Sequence, residues 1–134
     1  MATINKFEDL DIWKIARKVV NDIYKLTNRD KFSRDFALRD QIRRSAIGIL
    51  SNIAEGFESG SDKQFARYLK IAKGSAGECR SQLYIALDQE YLNHDKFSNL
   101  KSQLITCSKK LSRLINYLNS SKNKVRDIKI NYEV

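Results

Sequence analysis

Apolar residues Leu10, Trp13, Ala16, Val20, Ile23 and Leu26 recur at steps of three and four, the spacing that returns a side chain to one face of a helix. Asn28 and Asp30 break the run, so a first helix is predicted over about residues 10–27, with Lys14, Lys18 and Lys25 outward. After a polar link, Phe36, Ile42, Ala46, Leu50, Ile53 and Phe57 predict a second helix. Gly56 and Gly60 are expected to close it, because glycine enters the left-handed conformation at a helix end without steric cost. Ser61 followed three residues later by Gln64 has the form of a capping box and predicts the start of a third helix.

In the third helix Phe65, Leu69, Ala72, Ala76, Cys79, Leu83 and Ala86 alternate steps of four and three without a break. Phe97, Leu100, Leu104, Cys107, Leu111, Leu114 and Leu118 repeat the pattern in a fourth. A seam with a sustained seven-residue period belongs to bundle packing, and the short connection near Asn93 forces these two helices into an antiparallel hairpin. Its register follows from the numbering, since residues level across an antiparallel pair share a constant total, here 186 or 187. That total pairs Ala86 with Leu100, Leu83 with Leu104, Cys79 with Cys107, Ala76 with Leu111, Ala72 with Leu114 and Leu69 with Leu118. Small residues thus face leucines, as close packing requires. The predicted fold is all-α, an antiparallel up-down four-helix bundle over residues 1–121. Residues 122–134 form a separate basic tail in which Ile128, Ile130, Tyr132 and Val134 alternate with polar residues. The tail is expected to be disordered in an isolated monomer, or to form a strand if given an edge.

Composition narrows the function classes. The 134 residues suit one domain with a core of its own. They include no proline and no run of eighteen apolar residues, so a membrane span is not expected. The start of the chain lacks a basic stretch followed by an apolar run, so a cytoplasmic location with reduced thiols is expected. Twenty-five Lys and Arg against 16 Asp and Glu give a net charge of +9, a field that attracts polyanions such as nucleic acid.

Little in the chain suits catalysis. The one histidine, His94, falls in the turn before the fourth helix. Cys79 and Cys107 fall at core positions, where they serve as small apolar residues rather than as half of a zinc site. Phosphate loops, nucleophile elbows and paired histidines are missing, so neither an enzyme nor a cofactor is expected. Asp40, Glu55 and Glu78 are the candidates for a carboxylate-only metal site.

Two groups of residues invite a binding role. In the second helix Ser51, Asn52 and Glu55 interrupt an apolar stretch, and Glu55 opposes the helix dipole. Either Glu55 pairs with an arginine on a neighbouring helix or Asn52 bonds a loop, or else these residues form a polar site for a partner chain. On the outer side of the third helix lie Lys63, Arg67, Lys70, Lys73 and Arg80, while Arg39, Arg43 and Arg44 lie on the second. Together they form either one stripe aimed at phosphates or a solvated face neutralised by Asp62, Glu78 and Asp88. Lys109, Lys110, Arg113, Lys122, Lys124, Arg126 and Lys129 make a second, looser basic surface. Tyr84, Ile85 and Tyr91 project off the third helix's seam and are candidates for an interface.

The Asp9-Leu10-Asp11-Ile12-Trp13 start, the segment from Arg43-Arg44 to Phe57 with its Asn52-Ile53-Ala54-Glu55-Gly56 motif, and the Phe65–Tyr91 stretch with Ile71-Ala72-Lys73-Gly74-Ser75 carry a resemblance. Over about residues 6–118 the chain resembles the four helix bundle protein family encoded within intervening sequences of bacterial 23S ribosomal RNA genes. Leu50 departs from it, standing where the family usually has proline. The resemblance implies a ring-like homo-oligomer, commonly a pentamer. A related group, the accessory proteins of diversity-generating retroelements, binds a reverse transcriptase and nucleic acid through basic surfaces, and neither group is enzymatic. The expected function is therefore a non-enzymatic oligomeric bundle that binds nucleic acid, structured RNA foremost. The alternative is a protein-interaction scaffold or accessory subunit of a nucleic-acid-processing enzyme.

Overall fold

Three of the four long helices begin where a side-chain oxygen takes a backbone amide three residues on, which satisfies one of the donors a helix start leaves free. The computed structural model describes residues 4–120, and within them α1 is Asp11–Thr27, α2 Phe36–Glu58, α3 Asp62–Asp88 and α4 His94–Leu118. Asp35 accepts from the Leu38 amide at 3.2 Å, Ser61 from Gln64 at 3.2 Å and Asn93 from Lys96 at 2.8 Å. The capping box expected at Ser61 is thus present in its first half. Single 3-10 turns, Phe7–Asp9 and Phe32–Arg34, precede α1 and α2. Among the described residues there is no strand, and the tail at 122–134, with its alternating pattern, lies outside them.

α1 packs on α2 and α4, and α3 on the same two, so the helices enclose one core as an up-down four-helix bundle. Every seam residue predicted for α3 and α4 is buried, Cys79 and Cys107 included. The seams of α1 and α2 differ in detail. In α1 the buried line is Ile12, Ala16, Val19, Ile23 and Leu26, with Trp13 and Val20 only partly covered, because this helix wedges between two neighbours and buries a broad face. In α2 the buried line is Leu38, Ile42, Ser45, Ala46, Ile49, Ile53, Gly56 and Phe57, while Phe36 is 63% exposed under the Arg39 guanidinium.

Gly56 does not close α2, which continues to Glu58. The turn is made by Gly60, whose φ of 86° lies in the left-handed region. Gly56 instead lets α2 and α3 approach. A Cβ there would stand 2.7 Å from Tyr68 Cβ and 2.9 Å from Phe65 Cδ1, closer than carbon atoms pack. Gly48 faces Ser75 more loosely, at 3.0 Å from its Oγ. Between these helices the buried Ser45 donates to Gln82 Oε1 at 2.7 Å.

The α3–α4 turn is tied to the start of α2. Tyr91 stacks on Phe32 with centroids 4.9 Å apart, and its hydroxyl donates to Asp35 Oδ2 at 2.9 Å. That bond raises the tyrosine's pKa, because it holds the phenol proton against a carboxylate.

Candidate nucleic-acid interface

α3 and α4 run antiparallel, so their outer side chains meet along a groove. One cleft of about 370 Å³ in it is lined by Lys73 and Arg80 from α3 and by Ile105, Ser108, Lys109, Ser112 and Arg113 from α4. Further along, Lys63, Gln64, Ala66, Arg67 and Lys70 line a second cleft with Asn119. Seven cations therefore share the groove, and no carboxylate lines either cleft. None of the seven makes an ion pair or a hydrogen bond with another described residue.

The other grooves differ in charge balance. Between α1 and α4, Lys14, Lys18, Lys25, Arg29 and Lys96 line two clefts of about 460 and 420 Å³, but Asp22 and Asp95 stand among them and Lys18 bonds Asp22 at 2.8 Å. Lys110 turns to Asp11 at the α1–α4 contact, away from Lys109 and Arg113.

The arginines of α2 stand apart from the α3–α4 groove. Arg43 is half-buried against α1: its Nε donates to Thr27 Oγ1 and its Nη2 to Asn28 Oδ1, both at 2.8 Å, and its guanidinium lies 4.5 Å over the Tyr24 ring. Arg39 donates to Asp40 Oδ1 at 2.9 Å and to the Ser33 carbonyl at 3.1 Å. Arg44 is exposed. The single stripe that would join α2 to α3 is thus divided, and Lys109 and Arg113 of α4 complete it instead.

Of the α2 motif, Ile53 and Gly56 are buried, Asn52 is half-buried and Glu55 is exposed. Asn52 donates to its own helix at Gly48 O, 2.7 Å away, and Glu55 is exposed without a partner among the described residues. Ile47, Ile71 and Ile85 are exposed on α2 and α3. Tyr84, 44% exposed, lies on the α4 side of α3, edge-on against Phe97 at 4.9 Å with the Lys101 ammonium over its ring. Tyr91 is engaged by Phe32 and Asp35, as described above.

The two thiols behave as apolar groups. Burial pushes Cys79 up to about 11 and Cys107 up to about 12, with a nearby carboxylate adding to each. No three of the described His, Cys, Asp and Glu residues lie close enough to hold a metal ion; Asp40 is paired with Arg39, while Glu55 and Glu78 sit on different helices. Among the described residues no helix is long and apolar enough to cross a membrane.

Comparison with known proteins places this geometry in a family. Residues 8–113 match the model of the 23S rRNA-intervening sequence protein. A solved protein of unknown function from the S23 ribosomal protein family of Bacteroides thetaiotaomicron is similar at 26% identity, with a TM-score of 0.67 over 78% of this chain and 94% of that one. No curated protein matches the chain.

Proposed function

The chain belongs to the 23S rRNA-intervening sequence protein family, and from that premise we propose that it is a cytoplasmic, non-enzymatic, homo-oligomeric bundle that binds structured RNA through its phosphates. The observation that carries this reading is the row of cations along the α3–α4 groove, Lys63, Arg67, Lys70, Lys73, Arg80, Lys109 and Arg113, which have no ion pair among the described residues and no described carboxylate lining either cleft. Like charges gathered without counter-charges repel one another, and a polyanion relieves that repulsion while releasing its condensed counterions. Neither cleft's lining contains an aromatic ring. Sequence-tolerant binders of single strands stack bases on such rings, whereas double-helical RNA is held by phosphate and ribose contacts. The lining therefore favours a folded RNA, read by charge and shape rather than by base edges.

Oligomerisation is part of the proposal. Ile71 and Ile85 of α3 are each 47% exposed and Ile47 of α2 is 38% exposed, apolar side chains that a second copy would cover. The mid-helix Gly74 leaves open space where a side chain would stand, room for a second copy to approach closely. A pentameric ring is the assembly proposed. Light scattering tests it: Ile71→Lys with Ile85→Lys should yield a folded monomer, and an unchanged mass would reject this face.

The functional test is fluorescence anisotropy of labelled hairpin RNA and duplex DNA at several salt concentrations. Binding should weaken steeply with salt, and Arg67→Glu with Lys70→Glu should abolish it while the fold is kept. Unchanged RNA affinity in that variant would end the reading. A folded oligomer that ignores nucleic acid would favour the rival, a basic scaffold docking on another protein.

A further inference from the structure

The two clefts of the groove are not equivalent. The one near Asn119 holds three cations on a single helix. The other draws Lys73 and Arg80 from α3 and Lys109 and Arg113 from α4 into about 370 Å³, beside the half-buried hydroxyls of Ser108 and Ser112. Those hydroxyls make no hydrogen bond with another described residue, so their donors remain free. Gly77, one helical turn from both Lys73 and Arg80, would have nothing within 4 Å of an added Cβ. Glycine in a helix interior is less favourable than alanine, and no packing among the described residues requires it there. The rim is open at the point where the cations are densest.

Within the RNA-binding reading, on which this rests, we propose that this cleft is the anchor of the groove and seats two adjacent phosphates of one strand. Register and reach assign the contacts. Lys73 and Arg113 share the total of 186 that marks level residues, so they flank one end together. Arg80 stands two turns further along α3, about 10 Å away by helical rise, where Lys109 reaches it from α4. One phosphate lies between Lys73 and Arg113, the next between Lys109 and Arg80. The guanidinium groups offer paired donors to phosphate oxygens, and Ser108 and Ser112 donate from the floor. Such a seat turns a diffuse basic surface into one with a fixed point, which sets the register of the RNA on the bundle.

The test uses the intact protein and labelled hairpin RNA, with oligomer mass checked on every variant. Arg80→Gln with Arg113→Gln should lower affinity at least about tenfold and reduce the slope of log affinity against log salt by about 2. Lys14→Gln with Lys18→Gln, the same charge change on the α1–α4 side, should cost roughly twofold or less. Ser112→Leu fills the cleft and alters no charge; it should also weaken binding about tenfold. Inorganic pyrophosphate supplies the same phosphate pair from a free source. Competition only at millimolar levels supports the RNA backbone as occupant; competition at micromolar levels keeps the seat but assigns it to a free diphosphate. Equal losses from the two charge pairs, or full affinity in Ser112→Leu, would overturn the anchor while leaving RNA binding in place. A wild-type protein that binds no RNA would overturn both.

Discussion

Adding one methyl group to a helix should have opposite effects at Gly56 and Gly74. In a helix interior alanine is favoured over glycine by about 1 kcal/mol, because glycine loses more backbone freedom on folding. At Gly74 an added Cβ meets nothing within 4 Å, so Gly74→Ala should stabilise the monomer by nearly that amount. At Gly56 the same Cβ would stand 2.7 Å from Tyr68 Cβ, 2.9 Å from Phe65 Cδ1 and 3.3 Å from the Phe65 carbonyl oxygen. Tyr68 Cβ and the carbonyl are fixed to the α3 backbone, so no rotamer change relieves them and the helices must separate. Overpacking of this kind costs about 1–3 kcal/mol. Set against the propensity gain, a net loss of up to about 2 kcal/mol is expected for Gly56→Ala. Gly48→Ala falls between, because its nearest neighbour at 3.0 Å is the Ser75 hydroxyl, which can rotate. Urea unfolding of the three variants, each built on the Ile71→Lys, Ile85→Lys monomer so that assembly does not contribute, reads these differences as midpoint shifts at constant slope. If Gly56→Ala gained stability as Gly74→Ala does, the close α2–α3 approach would be wrong.

Three further outcomes follow from other parts of the bundle. Unfolded thiols lose their protons near 9, while folded Cys79 and Cys107 keep theirs to about 11 and 12. Stability should therefore fall as pH rises from about 9 to 11, by roughly 1.4 kcal/mol per unit per thiol, and Cys79→Ala with Cys107→Ala should remove that component from urea midpoints measured across the range. Below 9 both states hold the protons and the thiols contribute no slope. Arg43→Ala should cost about 2 kcal/mol, because Thr27 and Asn28 lose their charged donor, yet leave RNA affinity within about twofold since the groove is elsewhere; a large loss of RNA binding in a folded variant would return Arg43 to the interface. Asp35→Ala should lower stability by about 1 kcal/mol through the lost α2 cap alone, read from the same unfolding curves.

The α3–α4 hairpin was legible from periodicity because both helices keep one narrow seam over seven positions, and the structure buries all of those residues. α1 and α2 were legible as helices but less so as faces. α2 buries Ser45 and Gly56 along with its apolar residues, and a pattern of hydrophobic letters passes over both. Gly56 read as a stop because glycine favours helix ends, whereas here its small size admits a neighbouring helix. The basic residues of α3 were readable as outward, but their partners were not. Arg39 and Arg43 looked equivalent to Arg67 in sequence, and only the packing of α2 beside α1 reveals that they bond within the chain. Lys109 and Arg113 were separable from Lys110 by the register in hand, since the total that pairs Cys79 with Cys107 also sets Lys73 level with Arg113.

Asp35 uses both carboxylate oxygens in different ways, one on the first turn of α2 and the other on the Tyr91 hydroxyl in the α3–α4 turn. The connection between the first two helices and the connection between the last two are therefore one cooperative unit, although 56 residues separate their joined members. Fraying of α2 from its N-terminus must release the opposite hairpin's turn, and loosening that turn uncaps α2. Amide exchange at Leu38 and around Tyr91 should then report a single opening event, with one free energy shared by two segments far apart in the chain.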